Sequence, residues 1–251
     1  MPFLLVQLSD SHLGSTPSEH DPAASLRAAV EAVLALPDRP DALLVSGDLA
    51  DDGSAGSYAT VRELLAPLGL TPHVLPGNHD ERAALRAAFD LPGAGAEPIQ
   101  YSVDLGPLRL VALDTLLPGE DRGELDAARL EWLDAELGRA PEQPTVLAMH
   151  HPPLHTAIPP FDQICLSPAE RSELAAILSR HPQVLRIVAG HVHRTMVAEL
   201  AGRAVLTAPS TYRQSRLDFS SSELALNHYP PGFAVHSLDA GALTTHIVPV
   251  A

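Results

Sequence analysis

The sequence predicts a mixed α/β sandwich, and three observations predict it. Short apolar runs alternate with amphipathic stretches, the pattern of βαβ units and a largely parallel sheet. The first half reads strand, helix, strand, helix, strand, helix, whereas the part after Arg194 reads mainly as strands and loops. The 251 residues can bury a substantial core, and no tract rich in Gly, Ser or Pro divides them. A single domain over 1–251 is therefore expected, with a strand-rich part from about 194 to 251 completing the sandwich.

Taken in order, an apolar run predicts the first strand at 3–8, and helical spacing of apolar residues predicts a helix over 21–36. A strand at 42–46, a helix over 57–68, a strand at 73–75 and a helix over 81–89 follow. Strands at 99–105 and 108–113 precede a helix over 124–137 and a strand at 145–149. The Pro-rich stretch 152–160 directly follows a histidine pair at a strand end, so it reads as an active-site loop rather than a linker. Ser167-Pro168 places a cap and a first-turn proline before a helix over 168–179. Later strands are expected at 185–189, 196–200, 204–208, 232–238 and 243–248.

Composition narrows the class of function. With 45% hydrophobic and 19% charged residues and a mean hydropathy near zero, the chain is neither disordered nor fibrous. No apolar run approaches the roughly 20 residues of a membrane span. The N-terminal apolar run enters a polar turn with none of the marks of a signal peptide, so a cytoplasmic location is expected. The net charge of −15 repels nucleic acid and anionic membrane, and small molecules fit better as partners than polymers. All sixteen basic residues are arginines, scattered without a cluster. Thirteen histidines against the single Cys165 favour nitrogen and oxygen ligands for any metal, and Cys165 itself reads as a packed thiol.

Polar residues fall where the apolar runs stop. The first predicted strand ends in Ser9-Asp10-Ser11-His12, the second in Gly47-Asp48 and the third in Gly77-Asn78-His79-Asp80. Two later strands end in His150-His151 and Gly190-His191-Val192-His193. In an extended segment residues two apart point the same way, so Asp10 and His12 can grip one ion. The glycines let the backbone turn sharply and approach closely. Each cluster alone reads as a helix cap, a turn or a structural histidine. Five together at strand carboxyl ends are expected to converge on one crevice.

This ordered set, spanning nearly the whole chain, resembles the calcineurin-like metallophosphoesterase superfamily. With Met149-His150-His151-Pro152-Pro153 and the compact length, it is also similar to bacterial class III cyclic nucleotide phosphodiesterases and the related glycerophosphodiesterases. The resemblance implies a four-layer αββα sandwich of two mixed sheets with a dinuclear metal site at the strand ends. It implies one ion on Asp10, His12, Asp48 and His193, and a second on Asp48, Asn78, His150 and His191, with Asp48 bridging. Spacing leaves the 150/151 pair open; the family pattern favours His150 and gives His151 a supporting or packing role.

The donor set suits two divalent or mixed-valence ions of Mn, Fe, Zn or Co without choosing among them. The implied reaction is in-line attack of a metal-bridging hydroxide on a small phosphodiester, a cyclic nucleotide such as cAMP or a glycerophosphodiester. Two divalent ions against Asp10, Asp48 and one hydroxide leave a net charge of about +1, matched to a diester monoanion. His79 is expected to contact the phosphate or protonate the leaving oxygen, and Asp80 to orient His79, against the plainer reading that both only shape the turn. His155, Phe161, Tyr212, His228 and Tyr229 are candidates for the substrate side, and His20, His73, His181, His236 and His246 read as surface or core.

The rival is a phosphomonoesterase of the same superfamily. Its protein phosphatases carry an arginine where Gly47-Asp48-Leu49-Ala50-Asp51-Asp52-Gly53 has Asp52, a carboxylate that disfavours a dianion. A non-catalytic scaffold with this fold is a weaker rival, since all seven proposed ligands are present. The resemblance also suggests a homodimer.

Overall fold

The computed structural model describes residues 1–15, 20–227 and 229–250. One sheet holds β1 (Phe3–Leu8), β2 (Ala42–Ser46) and β3 (Pro72–Leu75) side by side and parallel, extended by the antiparallel strands β12 (Gly232–Asp239) and β13 (Ala242–Pro249) in the order β13-β12-β1-β2-β3. The other runs β4-β5-β6-β7-β9-β8, from β4 (Tyr101–Asp104), β5 (Arg109–Ala112), β6 (Thr145–Ala148), β7 (Val184–Ala189), β8 (Met196–Leu200) and β9 (Arg203–Thr207). Its centre β5-β6-β7-β9 is parallel and its edges are antiparallel.

Both sheets are thus mixed, and the expectation of a largely parallel sheet needs that correction. Two of the antiparallel pairs are made by tight hairpins. Ala201-Gly202 joins β8 to β9 and Ala240-Gly241 joins β12 to β13, each pair with positive φ at both residues, the two-residue turn that matches strand twist.

Side-chain alternation along β1 and β2 explains the layering. Val6, Leu8, Leu43 and Val45 face α1 (Pro22–Leu34), α2 (Ala55–Leu65) and α3 (Arg82–Phe89), packing on Leu26, Val30, Tyr58, Val61 and Leu85. Leu5 and Leu44 face the opposite way and meet Leu110, Val146 and Val188 of the second sheet. That sheet's outer face, with Val111, Leu147 and Ile187, is covered by Leu133 of α4 (Ala127–Gly138) and Leu174 of α6 (Pro168–Leu178). Strands apolar on both faces are what a sheet between two layers requires. The result is the four-layer αββα order.

The expected capping of α6 is present, with Glu170 N–H donating to Ser167 Oγ at 3.3 Å and Ser167 N–H to Glu170 Oε2 at 2.8 Å. The Pro-rich loop holds an unexpected element, the short helix α5 (Pro159–Ile164), whose Phe161 packs with Ile158, Cys165 and Val192. A two-strand ribbon, β10 (Gln214–Ser215) and β11 (Leu226–Asn227), lies beyond β9. Among the described residues no helix is long and apolar enough to cross a membrane.

Candidate metal centre

All seven expected ligands meet at the carboxyl ends of β1, β2, β3, β6 and β7. The loop after β1 runs along the loop after β2, with Asp10 N–H donating to Gly47 O at 3.1 Å and His12 N–H to Asp48 O at 2.9 Å. Asp10 and His12 are not extended, as the alternation argument required; their φ angles are 55° and 49°. Asp48, His191 and His193 are left-handed as well, so five of the nine described non-glycine residues with positive φ are proposed ligands. Asp and His tolerate this region better than most residues, and such strain concentrates at functional sites. The glycines clear space for the ligands themselves: a Cβ at Gly47 would overlap the His150 ring, and one at Gly77 the Asp48 carboxylate.

Two groups of acceptor atoms result. In the first, His12 Nε2 lies 2.9 Å from His193 Nε2 and 3.6 Å from Asp48 Oδ2, and His193 Nε2 lies 3.5 Å from Asp10 Oδ1. Each of these rings has its Nδ1 against a pure acceptor, Asp51 Oδ1 at 2.9 Å for His12 and Arg213 O at 2.9 Å for His193. Nδ1 therefore carries the proton, and the two Nε2 lone pairs face each other. In the second group, His150 Nε2 lies 3.2 Å from Asn78 Oδ1 and 3.3 Å from Asp48 Oδ2, and His191 Nδ1 lies 3.0 Å from Asn78 Oδ1. His150 donates from Nδ1 to Ser46 O at 2.8 Å.

Lone pairs converging on one another repel unless a cation sits among them, and Asp10 Oδ2 is buried without a partner. The site's carboxylates and imidazoles also act on one another. Burial alone would raise the Asp48 carboxyl, yet His150 and His12 hold it well below the usual carboxylate range. Burial would lower His150, yet Asp48 and Asp10 hold it up to about 9. Burial keeps His191 well below the ordinary histidine value and His193 down to about 4, so both offer neutral nitrogen. The donor set fits two metal ions.

His151 lies within ligand range of His150 and His191, but both of its nitrogens are engaged, with Thr115 Oγ1 at 2.8 Å and Asp121 O at 3.2 Å. Burial and His150 push it down to about 3. A packing role fits it.

His79, partly exposed, has its backbone N–H on Asp48 Oδ1 at 3.0 Å and its Nδ1 3.1 Å from Asp51 Oδ1. Asp80 does not orient it. The buried Asp80 carboxylate accepts from the N–H groups of Leu49, Ala50 and Gly77 and from Tyr58 O–H, tying the β2 and β3 loops together, and burial and Asp48 raise it to about 6. Asp51, to which the sequence reading gave no role, is the carboxylate beside His79, shared with His12. Its three-residue offset from Asp48 was the available signal. Asp52 is exposed, bonded to Ser54 N–H at 3.0 Å, and lies outside the cavity, so it bears on neither mono- nor diesters there.

A cavity of about 460 Å³ opens over the ligands. Its lining includes His12, Asp48, Asn78, His191 and His193 together with Phe161, Tyr212, Leu224 and Leu226. Of the other substrate-side candidates, His155 pairs with Asp162 at 2.9 Å outside the cavity, Tyr229 is exposed away from its lining, and His228 lies outside the described residues.

Known proteins similar to this chain are numerous. The family model of the calcineurin-like phosphoesterases matches residues 3–195. A 3',5'-cyclic-nucleotide phosphodiesterase of Nostoc sp. is 32% identical over 98% of this chain and 92% of its own. The 3',5'-cyclic adenosine monophosphate phosphodiesterase CpdA of Pseudomonas aeruginosa is 34% identical over 97% and 89%, and the glycerophosphodiester phosphodiesterase GpdQ of Enterobacter lignolyticus 30% over 93% and 86%. Among solved structures, a dimetal phosphatase of Danio rerio shares the fold over the full length of both chains, with a TM-score of 0.69 at 17% identity. The left-handed strand ends, the acceptor groups and the full-length relatives agree, and the chain belongs to the calcineurin-like phosphoesterase family.

Proposed function

We propose that this metal-dependent phosphodiesterase acts on a small diester monoanion, a cyclic nucleotide or a glycerophosphodiester, with one ion on Asp10, His12, Asp48 and His193 and a second on Asp48, Asn78, His150 and His191. The observation that carries the reading is the convergence of seven acceptor side chains around the single Asp48 carboxylate, 3.6 Å from His12 and 3.3 Å from His150. The names of the relatives, which cover nearly the whole chain, support the substrate class. Bound there, two divalent ions supply charge neutralisation for the phosphoryl oxygens and a nucleophile at neutral pH.

The chain's own groups do the rest. Asn78 contributes a neutral amide oxygen, which preserves positive charge for the substrate where a carboxylate would cancel it. Asp51 accepts from His79 Nδ1–H, which orients the ring and leaves Nε2 to give a proton to the departing alkoxide. Leu224, Leu226 and Phe161 offer an apolar wall to the organic part of the diester.

With Mn-loaded protein, bis(p-nitrophenyl) phosphate is expected to show a higher kcat/KM than p-nitrophenyl phosphate at neutral pH; a clear preference for the monoester overturns the diester reading. A panel of cyclic nucleotides and glycerophosphodiesters then ranks the natural candidates. The proposal keeps the cytoplasmic location and a homodimer, for which the edge strand β13, paired on one side only among the described residues, offers a surface; cell fractionation and sedimentation velocity test them.

A further inference from the structure

Arg213 sits in the loop between β9 and β10, and its backbone is fully committed. Its carbonyl accepts from His193 Nδ1 at 2.9 Å, and its N–H donates to Ser210 Oγ at 3.2 Å, which itself donates to Asp10 O at 2.8 Å. The residue is thereby held against two candidate ligands. Its side chain, by contrast, is uncommitted. Nε is buried without a partner, and the guanidinium makes no ion pair or hydrogen bond among the described residues.

Arg27 and Arg62 also lack a side-chain partner among the described residues, but both are exposed, whereas Arg213 is half-buried. The deeply buried guanidiniums are all engaged, Arg82 on Asp114 at 2.8 Å, Arg129 on Glu124 at 3.0 Å, Arg109 on Glu136, and Arg86 on the carbonyls of Pro92 and Glu97. Arg213 lines the catalytic cavity, and it is the one arginine among the lining residues. A partly desolvated guanidinium without a carboxylate is a site for an anion from solution.

We infer that Arg213 anchors the substrate by donating to a non-bridging oxygen of the scissile phosphodiester. The inference rests on the diester reading above, because cyclic nucleotides and glycerophosphodiesters carry the scissile phosphate as their anionic group. The planar fork of the guanidinium suits two phosphate oxygens, which an ammonium matches only as a point charge.

The test uses metal-loaded wild type, Arg213→Met and Arg213→Lys. The expected result is a 10- to 100-fold loss of kcat/KM on bis(p-nitrophenyl) phosphate in Arg213→Met, carried mainly by KM, with metal content unchanged and Arg213→Lys intermediate; this is about what one charge-assisted hydrogen bond is worth. Calorimetric titration with inorganic phosphate should show a matching loss of affinity, and it reads Arg213 even if the wild type turns over no diester. Equal phosphate affinity in wild type and Arg213→Met overturns the inference. So does a loss of bound metal in Arg213→Met, which would reassign the side chain to supporting His193.

Discussion

The two ligand groups meet at Asp48 and are otherwise built differently. The first, Asp10, His12, Asp48 and His193, brings two carboxylates, and behind His12 stands a third, Asp51, at 2.9 Å. The second, Asn78, His150 and His191 with the shared Asp48, brings one carboxylate and an amide, and behind His150 stands the neutral carbonyl of Ser46. A carboxylate behind an imidazole makes it a more basic ligand. The first group should therefore hold its ion more tightly, and the second should leave more positive charge for a substrate. The difference separates a holding site from a presenting site, and each half can be attacked separately.

The largest effect is expected where the halves join. Asp48→Ala should lower bound metal in both groups and abolish activity, read by elemental analysis on purified protein. Two ions per chain in that variant would remove Asp48 from its shared position.

Next in size is the group beside the metals but outside their ligand shell. His79→Ala should keep folding and metal content while losing about 10²–10⁴ in turnover on an alkyl diester, the range of general acid catalysis. A p-nitrophenolate needs little protonation, so the loss on an activated aryl diester should be smaller. Equal losses on both would make His79 a phosphate-positioning group instead, and unchanged turnover would leave it a turn residue. Asp51→Asn should reproduce part of the His79 loss, and because Asp51 also backs His12 it should weaken the first ion as well, a double signature absent from Asp80→Asn.

How far the sequence reached follows the same divide. The convergence of the seven residues was legible because each apolar strand stops at a polar cluster, and the order of the clusters carries the family. Their backbone was not, since the left-handed turns at Asp10 and His12 are imposed by hydrogen bonds to Gly47 and Asp48, partners nearly forty residues away. Asp51 and Asp52 look alike in sequence, but Asp51 meets His12 and His79 in the cavity while Asp52 turns to Ser54 N–H. Arg213 gave no local signal, because its meaning is the lack of a partner. The antiparallel sense of the late strands was hidden in two Ala-Gly pairs, weaker turn signals than Asn-Gly.

The smallest expected effect discriminates best between the halves. His150→Ala removes a ligand from the second group only, so the first ion should stay bound while the second is lost in ordinary buffer and regained as metal is raised. Turnover should then climb with metal concentration to within about tenfold of wild type, since the remaining Asp48, Asn78 and His191 still define the position. His193→Ala should behave oppositely, losing the tighter ion and gaining little from added metal, because the more acidic group loses a nitrogen that no neighbour replaces. His151, bonded to Thr115 and Asp121 O, serves as the internal control: His151→Ala should leave both affinities near wild type and lower stability instead. A titration in which His150→Ala binds both ions normally while His151→Ala loses one would exchange the two residues' roles, and with them the account of the second group as the weaker site.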